Sequence, residues 1–342
     1  YQLYFDGKKP EAITVHKKPK SAISHYNIGN VQKAEGLLDA ALESYQRALE
    51  INPRYVEAYN NMAVTLQEQG KPKDAIKIYK KALKIDASLT ETYYNLGNAL
   101  TEDGEKKAAV ESYKKAIEVD GDWAILHINL GSVLNDTGNP DAALESYHRA
   151  LEIDPSSTAA LNNIGVVMNA KGDPSAAIES YKQAIKVDPN CAEAHYNLGT
   201  ELRDMNELVA AIESFNKALI GNPNYQTAHI NKLHCQAKIC DWAAIEQDRH
   251  LIPDLGTLTD ATEPFAAMFL EDAPERHLLR SKLWAKNSFK QKSIPLPTRP
   301  THKPKRARIG YFSSDFRDHS AIFGILNILE AHDRERFEIY AY

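Results

Sequence analysis

Apolar positions along this chain come in blocks, and the blocks return at a fixed step. Tyr45, Tyr79, Tyr113, Tyr147, Tyr181 and Phe215 stand 34 residues apart, and Ala48, Ala82, Ala116, Ala150, Ala184 and Ala218 follow in the same register. An apolar-small pair keeps that step at Ile28-Gly29, Met62-Ala63, Leu96-Gly97, Leu130-Gly131, Ile164-Gly165 and Leu198-Gly199. Polar residues fill the opposite faces, which is the helical rather than the strand period. Gly36, Gly70, Gly104, Gly138 and Gly172 break each period once, and Pro53, Pro155, Pro189 and Pro223 mark the joints. Each period therefore predicts two helices and two turns. The glycines supply a positive backbone angle between the helices, and the prolines are expected to open the next helix. Small residues are expected to let the helices of a pair approach, and the aromatic to fill the gap between one pair and the next. One such unit cannot bury its apolar face alone, so neighbours must stack.

The pattern resembles the tetratricopeptide repeat, which implies a mainly α, right-handed α–α superhelix. It runs over residues 22–250 as six regular repeats and an altered seventh, with Asn206 and then Cys240 in the glycine slot. Residues 1–21, with Gly7-Lys8-Lys9-Pro10-Glu11-Ala12-Ile13, read as an incomplete earlier repeat.

One polar position keeps the same step throughout: Asn27, Asn61, Asn95, Asn129, Asn163, Asn197 and Asn231. Asparagine is a poor residue for a helix interior, so its recurrence points to a use. It lies one residue before the apolar-small pair, rotated by about 100° from the core. In a superhelix of this kind that edge lines the concave groove, where a carboxamide could pair with a peptide unit in both directions. The competing reading is that the asparagines bond to neighbouring helices and are copied with the repeat. One turn before the ladder stand Ile23, Glu57, Glu91, Ile125, Ala159, Glu193 and Thr227. One turn after it stand Asn30, Val64, Asn98, Ser132, Val166, Thr200 and His234. With Glu68, Glu102, Asp136 and Asp204 beyond, the groove is expected to be neutral to acidic, without the lysines of a carboxylate clamp.

After residue 250 the repeat stops. Residues 251–305 read as a connector: a helix from Asp272 to Phe289 with a capping-box-like start at Asp272 and Glu275, then a proline-rich run from Ser293 to Lys305 that enforces extended chain. Residues 306–342 read as strand, helix, strand, with strands at Ala307–Ser313 and Phe337–Tyr342, the opening of a parallel sheet.

The chain's 342 residues carry a formal net charge of −5, which argues against nucleic acid as a partner. No run of apolar residues has the length of a membrane span. Three cysteines, Cys191, Cys235 and Cys240, show no metal-ligand spacing, so no metal is expected. Their sparseness fits a reducing, cytoplasmic setting.

Two segments beyond the regular repeats carry a narrower resemblance. The run from Asn231 to Trp242, ending Cys240-Asp241-Trp242, and the run from Arg308 to His319, containing Ser313-Ser314-Asp315-Phe316, resemble the O-linked N-acetylglucosamine transferases and their bacterial relatives. That resemblance implies an inverting, metal-independent protein O-glycosyltransferase with two GT-B-like lobes. His319 would be its active-site histidine, the groove would receive protein substrates, and a lobe outside this chain would bind the nucleotide sugar, UDP-N-acetylglucosamine. The chain alone would then be inactive. The histidine-rich patch of the animal enzymes is missing from Thr262–Met268, which favours a bacterial-type relative. Two alternatives stand beside this reading: a scaffold that binds proteins and does no chemistry, and an O-fucosyltransferase of the same fold. Association of the chain with itself is compatible with all three.

Overall fold

The computed structural model describes residues 21–257 and 270–288 and two short strands, residues 307–311 and 337–341. Seven helix pairs succeed one another: α1 (Ala22–Ala34) with α2 (Leu38–Ile51), α3 (Val56–Glu68) with α4 (Pro72–Ile85), α5 (Thr90–Glu102) with α6 (Lys106–Val119), α7 (Ala124–Asp136) with α8 (Pro140–Ile153), α9 (Thr158–Ala170) with α10 (Pro174–Val187), α11 (Ala192–Asp204) with α12 (Leu208–Gly221), and α13 (Gln226–Lys238) with the short α14 (Trp242–Asp248). A 3₁₀ turn at Arg249–Leu251 comes next, then α15 (Pro274–Ser288). The first helix of each pair is called A and the second B.

Each A helix closes in the same way. Gly36 N–H donates to the Lys33 carbonyl at 2.9 Å and Leu37 N–H to the Gln32 carbonyl at 2.8 Å, a closure that needs a left-handed residue. Gly36 has φ 76°, and Asn206 and Cys240 adopt φ 63° and 58° in the equivalent turns. The joint prolines do not open the next helix. Pro53 sits in a tight turn in which Tyr55 N–H reaches the Asn52 carbonyl at 3.1 Å, and α3 begins at Val56. Within the repeats the prolines at helix starts are Pro72, Pro140 and Pro174, at the heads of B helices.

The aromatic also has a different place from the one expected. Tyr113 packs on Gly97 of its own pair, where an added Cβ would stand 2.5 Å from the ring. The same contact joins Tyr45 to Gly29, Tyr147 to Gly131, Tyr181 to Gly165 and Phe215 to Gly199. The ring thus locks A to B within a repeat. The six aromatics are 2% exposed or less, and burying such a ring contributes roughly 2–3 kcal/mol.

Within the array, α1 touches α3, α3 touches α5, α7 touches α9, α9 touches α11 and α11 touches α13, with no comparable B-to-B contact. Elements that converge on one side put that side on the inside of the curve, so the A helices form the inner face. α15 begins at Pro274 rather than at Asp272, with His277 N–H donating to the Ala273 carbonyl at 3.0 Å.

Residues 289–342 form a separate unit. In it β1 (Ala307–Tyr311) and β2 (Phe337–Ala341) pair in parallel, Ala307 opposite Phe337. Two parallel strands agree with the sequence pattern, but two strands are the whole sheet among the described residues. A two-lobed α/β architecture is not what this fold supports; the molecule is mainly an α-helical repeat array.

Candidate functional site

The ladder asparagines occupy one register of the inner face. Asn27 is exposed, and Asn61, Asn95, Asn129, Asn163, Asn197 and Asn231 are half-buried. Each of those six donates from Nδ2 to the A helix of the preceding repeat. Asn61 reaches Asn30 Oδ1 at 2.9 Å and the Tyr26 hydroxyl at 3.0 Å. Asn129 reaches Asn98 Oδ1 at 3.1 Å, and Asn163 reaches Ser132 Oγ at 3.5 Å. Asn95 and Asn197 turn instead to Asn60 Oδ1 at 3.4 Å and Asn162 Oδ1 at 2.8 Å. Asn231 donates to the Tyr196 hydroxyl at 3.3 Å.

The choice of acceptor tracks the sequence. Three residues after the ladder stand Asn30, Asn98 and Ser132, which accept; where that place holds Val64 or Val166, the residue one before the ladder is Asn60 or Asn162 and accepts in its stead. This exchange is visible in the sequence as a coupled pair of registers, and a reading of the ladder alone misses it. Asn30, Asn98 and Ser132 are fixed from behind by buried tyrosines, whereas Tyr79 turns to Gln67. Tyr45 donates to Asn30 Oδ1 at 2.8 Å, Tyr113 to Asn98 Oδ1 at 2.7 Å, Tyr147 to Ser132 Oγ at 3.2 Å and Tyr79 to Gln67 Oε1 at 2.6 Å. Burial pushes the Tyr45 hydroxyl up to about 12, and raises Tyr79, Tyr113, Tyr147 and Tyr181 as well. All therefore stay protonated donors at neutral pH.

At Asn61, Asn129 and Asn163 a chain of hydrogen bonds thus runs from buried tyrosine to inner-face acceptor to the next repeat's asparagine. The carboxamide nitrogens are committed to the array, so the expectation that each asparagine meets a partner as donor and acceptor alike is narrowed. The oxygens of Asn95, Asn129, Asn163 and Asn197 accept nothing among the described residues, whereas Asn231 Oδ1 takes Arg203 Nη1 at 3.0 Å.

The acid distribution also needs correction. Lys33 and Arg203 stand on the inner face, where the sequence pattern foresaw no cation. Glu68 pairs with Lys33 at 3.0 Å, Asp136 with Lys106 at 2.9 Å and Asp204 with Arg203 at 2.8 Å, while Glu102 accepts from Gln67 Nε2 at 3.2 Å. These acids belong to the array's own bonding. Glu57 and Glu91, on the other margin of the face, carry no ion pair among the described residues. They line a cavity of about 510 Å³ that also holds Tyr26, Asn60 and Trp123. A second hollow of about 380 Å³ is lined by Asn98, Glu102, Tyr113, Asn129 and Ser132. No cluster able to hold a metal ion occurs among the described residues, and no described helix is long and apolar enough to cross a membrane. His319 and the segment Thr262–Met268 lie outside the described residues, as do residues 1–20.

Models described as tetratricopeptide repeat match residues 20–88, 56–121, 124–157 and 192–219, and one described as TPR repeat matches residues 168–200. Together these cover more than half of the chain's 342 residues. The photosystem I assembly protein Ycf3 of Cyanophora paradoxa is 37% identical over 62 residues, 18% of this chain and 36% of that protein, so the chain spans about a third of this curated relative. A crystal structure of MamA is 31% identical, with 47% of this chain and 95% of that one covered and a TM-score of 0.46. The pilF structure from Pseudomonas aeruginosa is 20% identical, with 58% and 91% covered and a TM-score of 0.51, a likeness of fold. The matching models all lie between residues 20 and 219, upstream of both segments that suggested a glycosyltransferase, and all are repeat models. That expectation is overturned. The physical reason is plain: a 34-residue register sets packing, and packing carries no sugar chemistry. The run from Asn231 to Trp242 is the degenerate end of the array, and Arg308 to Tyr311 is part of a single strand.

Proposed function

Since the chain belongs to the tetratricopeptide-repeat family, we propose that it is a protein-interaction scaffold that holds an extended segment of a partner protein along the A-helix face, with no chemical step of its own. The observation that carries this is the shared orientation of the ladder. Nδ2 of Asn95, Asn129, Asn163 and Asn197 is tied back to the preceding repeat while Oδ1 accepts nothing from the array. A row of fixed acceptors at repeat spacing suits the backbone N–H groups of an extended chain, and makes few demands on its side chains. Asn27 and Asn61 extend the row at its start, and Asn231 stands at its far end with Oδ1 already bonded to Arg203. Each such bond contributes roughly 0.5–1.5 kcal/mol net, so affinity is spread over many contacts.

The test uses random dodecapeptides displayed on phage, panned against the full chain and against a variant with Asn95, Asn129, Asn163 and Asn197 all replaced by Ala. Helix content by circular dichroism should survive the replacement, since Ala favours helix. Peptides enriched on the native chain should bind the variant at least tenfold more weakly. Equal binding to both would remove the groove reading.

A further inference from the structure

We propose that the inner face between the fifth and sixth repeats, where the array brings Tyr181 and Glu201 together, is a subsite for one basic side chain of the bound partner segment. This rests on the scaffold reading and deepens it by naming a place where the partner's sequence is read. The hollow of about 380 Å³ between the third and fourth repeats is lined by Asn98, Tyr113, Asn129, Ser132 and Val133, among others. Two repeats on, the same register holds Val166, Tyr181, Asn197, Thr200 and Glu201. A carboxyl group thus stands where the earlier hollow has an apolar wall.

Both polar groups are buried and neither is satisfied. Glu201 is 4% exposed and Tyr181 2%. Glu201 has no hydrogen bond and no ion pair among the described residues, and the nearby Arg203 spends its guanidinium on Asp204 and Asn231. The Tyr181 hydroxyl donates to nothing among the described residues, because Val166 stands where Tyr45, Tyr113 and Tyr147 find Asn30, Asn98 and Ser132. Burial and then the charge of Glu201 raise that hydroxyl, so the two groups lie within electrostatic reach of each other. At the register of Glu201 the other A helices carry Thr65, Ala99, Val133, Val167 and Cys235, all 3% exposed or less. A buried carboxylate without a partner is unfavourable where a valine would pack. Stability given up on a binding face is the usual trade for function.

The surroundings set the chemistry of the occupant. Asn197 donates to Asn162 and its Oδ1 accepts nothing from the array. Thr200 has spent its proton on the Tyr196 carbonyl at 3.1 Å, which leaves its oxygen as an acceptor. With the Glu201 carboxylate and the phenol oxygen, acceptors outnumber free protons. Such a place suits a group that only donates and carries positive charge, an ammonium or a guanidinium. An acidic side chain would be repelled, and a neutral one would leave the buried charge uncompensated.

The experiment has two arms. In the first, n-butylammonium chloride, n-propylguanidinium chloride and the neutral N-propylacetamide are titrated into the full chain at matched ionic strength, and amide shifts are read by NMR. Both cations should saturably shift resonances around Tyr181 and from Asn197 to Asp204, and the neutral amide should not. Glu201→Val, which restores the side chain of the fourth and fifth repeats, should keep the fold and weaken the response about tenfold, as expected for a lost charge-assisted bond. Tyr181→Phe, which keeps the ring as Phe215 does in the next repeat, should weaken it about threefold. Equal shifts with the neutral amide, shifts that do not saturate, or indifference to Glu201→Val would mean that water alone meets these groups, and would overturn the subsite. In the second arm the dodecapeptides are panned on the native chain and on Glu201→Val. One basic position enriched on the native chain and lost on the variant supports the subsite. Peptides that depend on the four asparagines but show no basic preference, or keep it on Glu201→Val, overturn the subsite and leave the groove standing. Binding that ignores the four-asparagine replacement sinks the groove, while the cation titration still decides the subsite.

Discussion

The fourth repeat and the seventh solve the same packing problem by opposite means. In the fourth, Leu130 fills the core, Gly131 admits the ring of Tyr147, and a B helix of 14 residues covers both. In the seventh, Lys232 takes the leucine slot and Leu233 the glycine slot, and α14 is cut to 7 residues. Lys232 is 9% exposed and reaches Asp248 at 2.5 Å. The segment beyond α14 is held by charge as well. Arg280, fully buried, donates to the Leu255 and Ile252 carbonyls at 2.7 Å each and to Glu271 Oε1 at 2.6 Å. Arg276 and His277 close on the same Glu271. The middle of the array is therefore joined by shape, and its end by hydrogen-bonded ions. Shape fails when volume changes; ion pairs fail when one partner is lost or titrated.

The largest effect expected is at the end. Arg280→Ala leaves the Leu255 and Ile252 carbonyls without their donor and Glu271 with Arg276 alone, and should cost about 3 kcal/mol locally. Hydrogen exchange should accelerate across α15 while amides of α5 to α10 stay protected. Arg280→Met, which keeps volume but not charge, should release α15 as well. Unchanged protection in α15 would mean that apolar contacts of Ile252, Leu255 and Leu270 hold it.

Next comes Gly131→Val. Its first added carbon would stand 2.6 Å from the Tyr147 ring, and overpacking of this kind costs about 1–3 kcal/mol. Denaturant melts should show the loss, and Gly131→Val with Tyr147→Leu should recover part of it. The substitution Leu233→Val in the seventh repeat, where no ring faces the slot, should cost less.

These two sites show which features were legible in the sequence. Glycine and tyrosine at a 34-residue step revealed the helix pairs, their turns and the inner face, because close packing and positive φ each demand a particular residue type. Asn206 and Cys240 were placed in their turns by register alone, and the backbone angles agree. Arg280 was invisible: its partners are carbonyls of Ile252 and Leu255 and the acid Glu271, and no local pattern reports a contact made across a change of fold. The pairing of Lys33 with Glu68 was hidden for the same reason, since each side chain read singly is an ordinary helix end. The glycosyltransferase reading failed because two short runs were asked to specify a chemistry that needs residues brought together in space.

Acid should separate the two regions further. Burial raises Glu271, but hydrogen bonds from Arg276 and Arg280 outweigh it and hold the group below the usual carboxylate range. Its contribution is present above the unfolded value and is lost as pH falls through the lowered one. Glu201, in a core position of α11 that holds Thr65, Ala99, Val133 and Val167 elsewhere, is raised by burial and then by Asp204. Its folded form prefers the proton, so it adds no penalty below the unfolded value and a growing one as pH rises through the raised value. Acidification from about pH 7 toward about pH 4 should, relative to Glu201→Gln, strengthen the sixth repeat, and only further acidification below about pH 4 should loosen α15. Glu201→Gln should accordingly stabilise near neutral pH, with the gain vanishing near about pH 4. A gain that persists in acid would show that packing, not titration, sets the difference.

The smallest effect concerns the ladder and asks whether its rungs are equal. Asn197 reaches Asn162 at 2.8 Å, whereas Asn163 reaches Ser132 at 3.5 Å, the limit of a hydrogen bond. Replacement by Ala removes the bond and also a poor helix former, and the two terms oppose each other. At Asn163 little bonding is lost, so Ala should be neutral or stabilising by a few tenths of a kcal/mol. At Asn197 a short bond is lost and Asn162 Oδ1 is left without its donor, so Ala should cost about 1 kcal/mol. Paired urea melts of the two variants measure the difference directly. If the rungs serve the fold alone, peptide affinity should track stability, and Asn163→Ala should bind as the native chain does. If Oδ1 is the working atom, both replacements should weaken peptide binding by a similar modest factor, whatever they do to the melt. Stability and affinity would then part company at Asn163, whose bond to the array is the longest of the six.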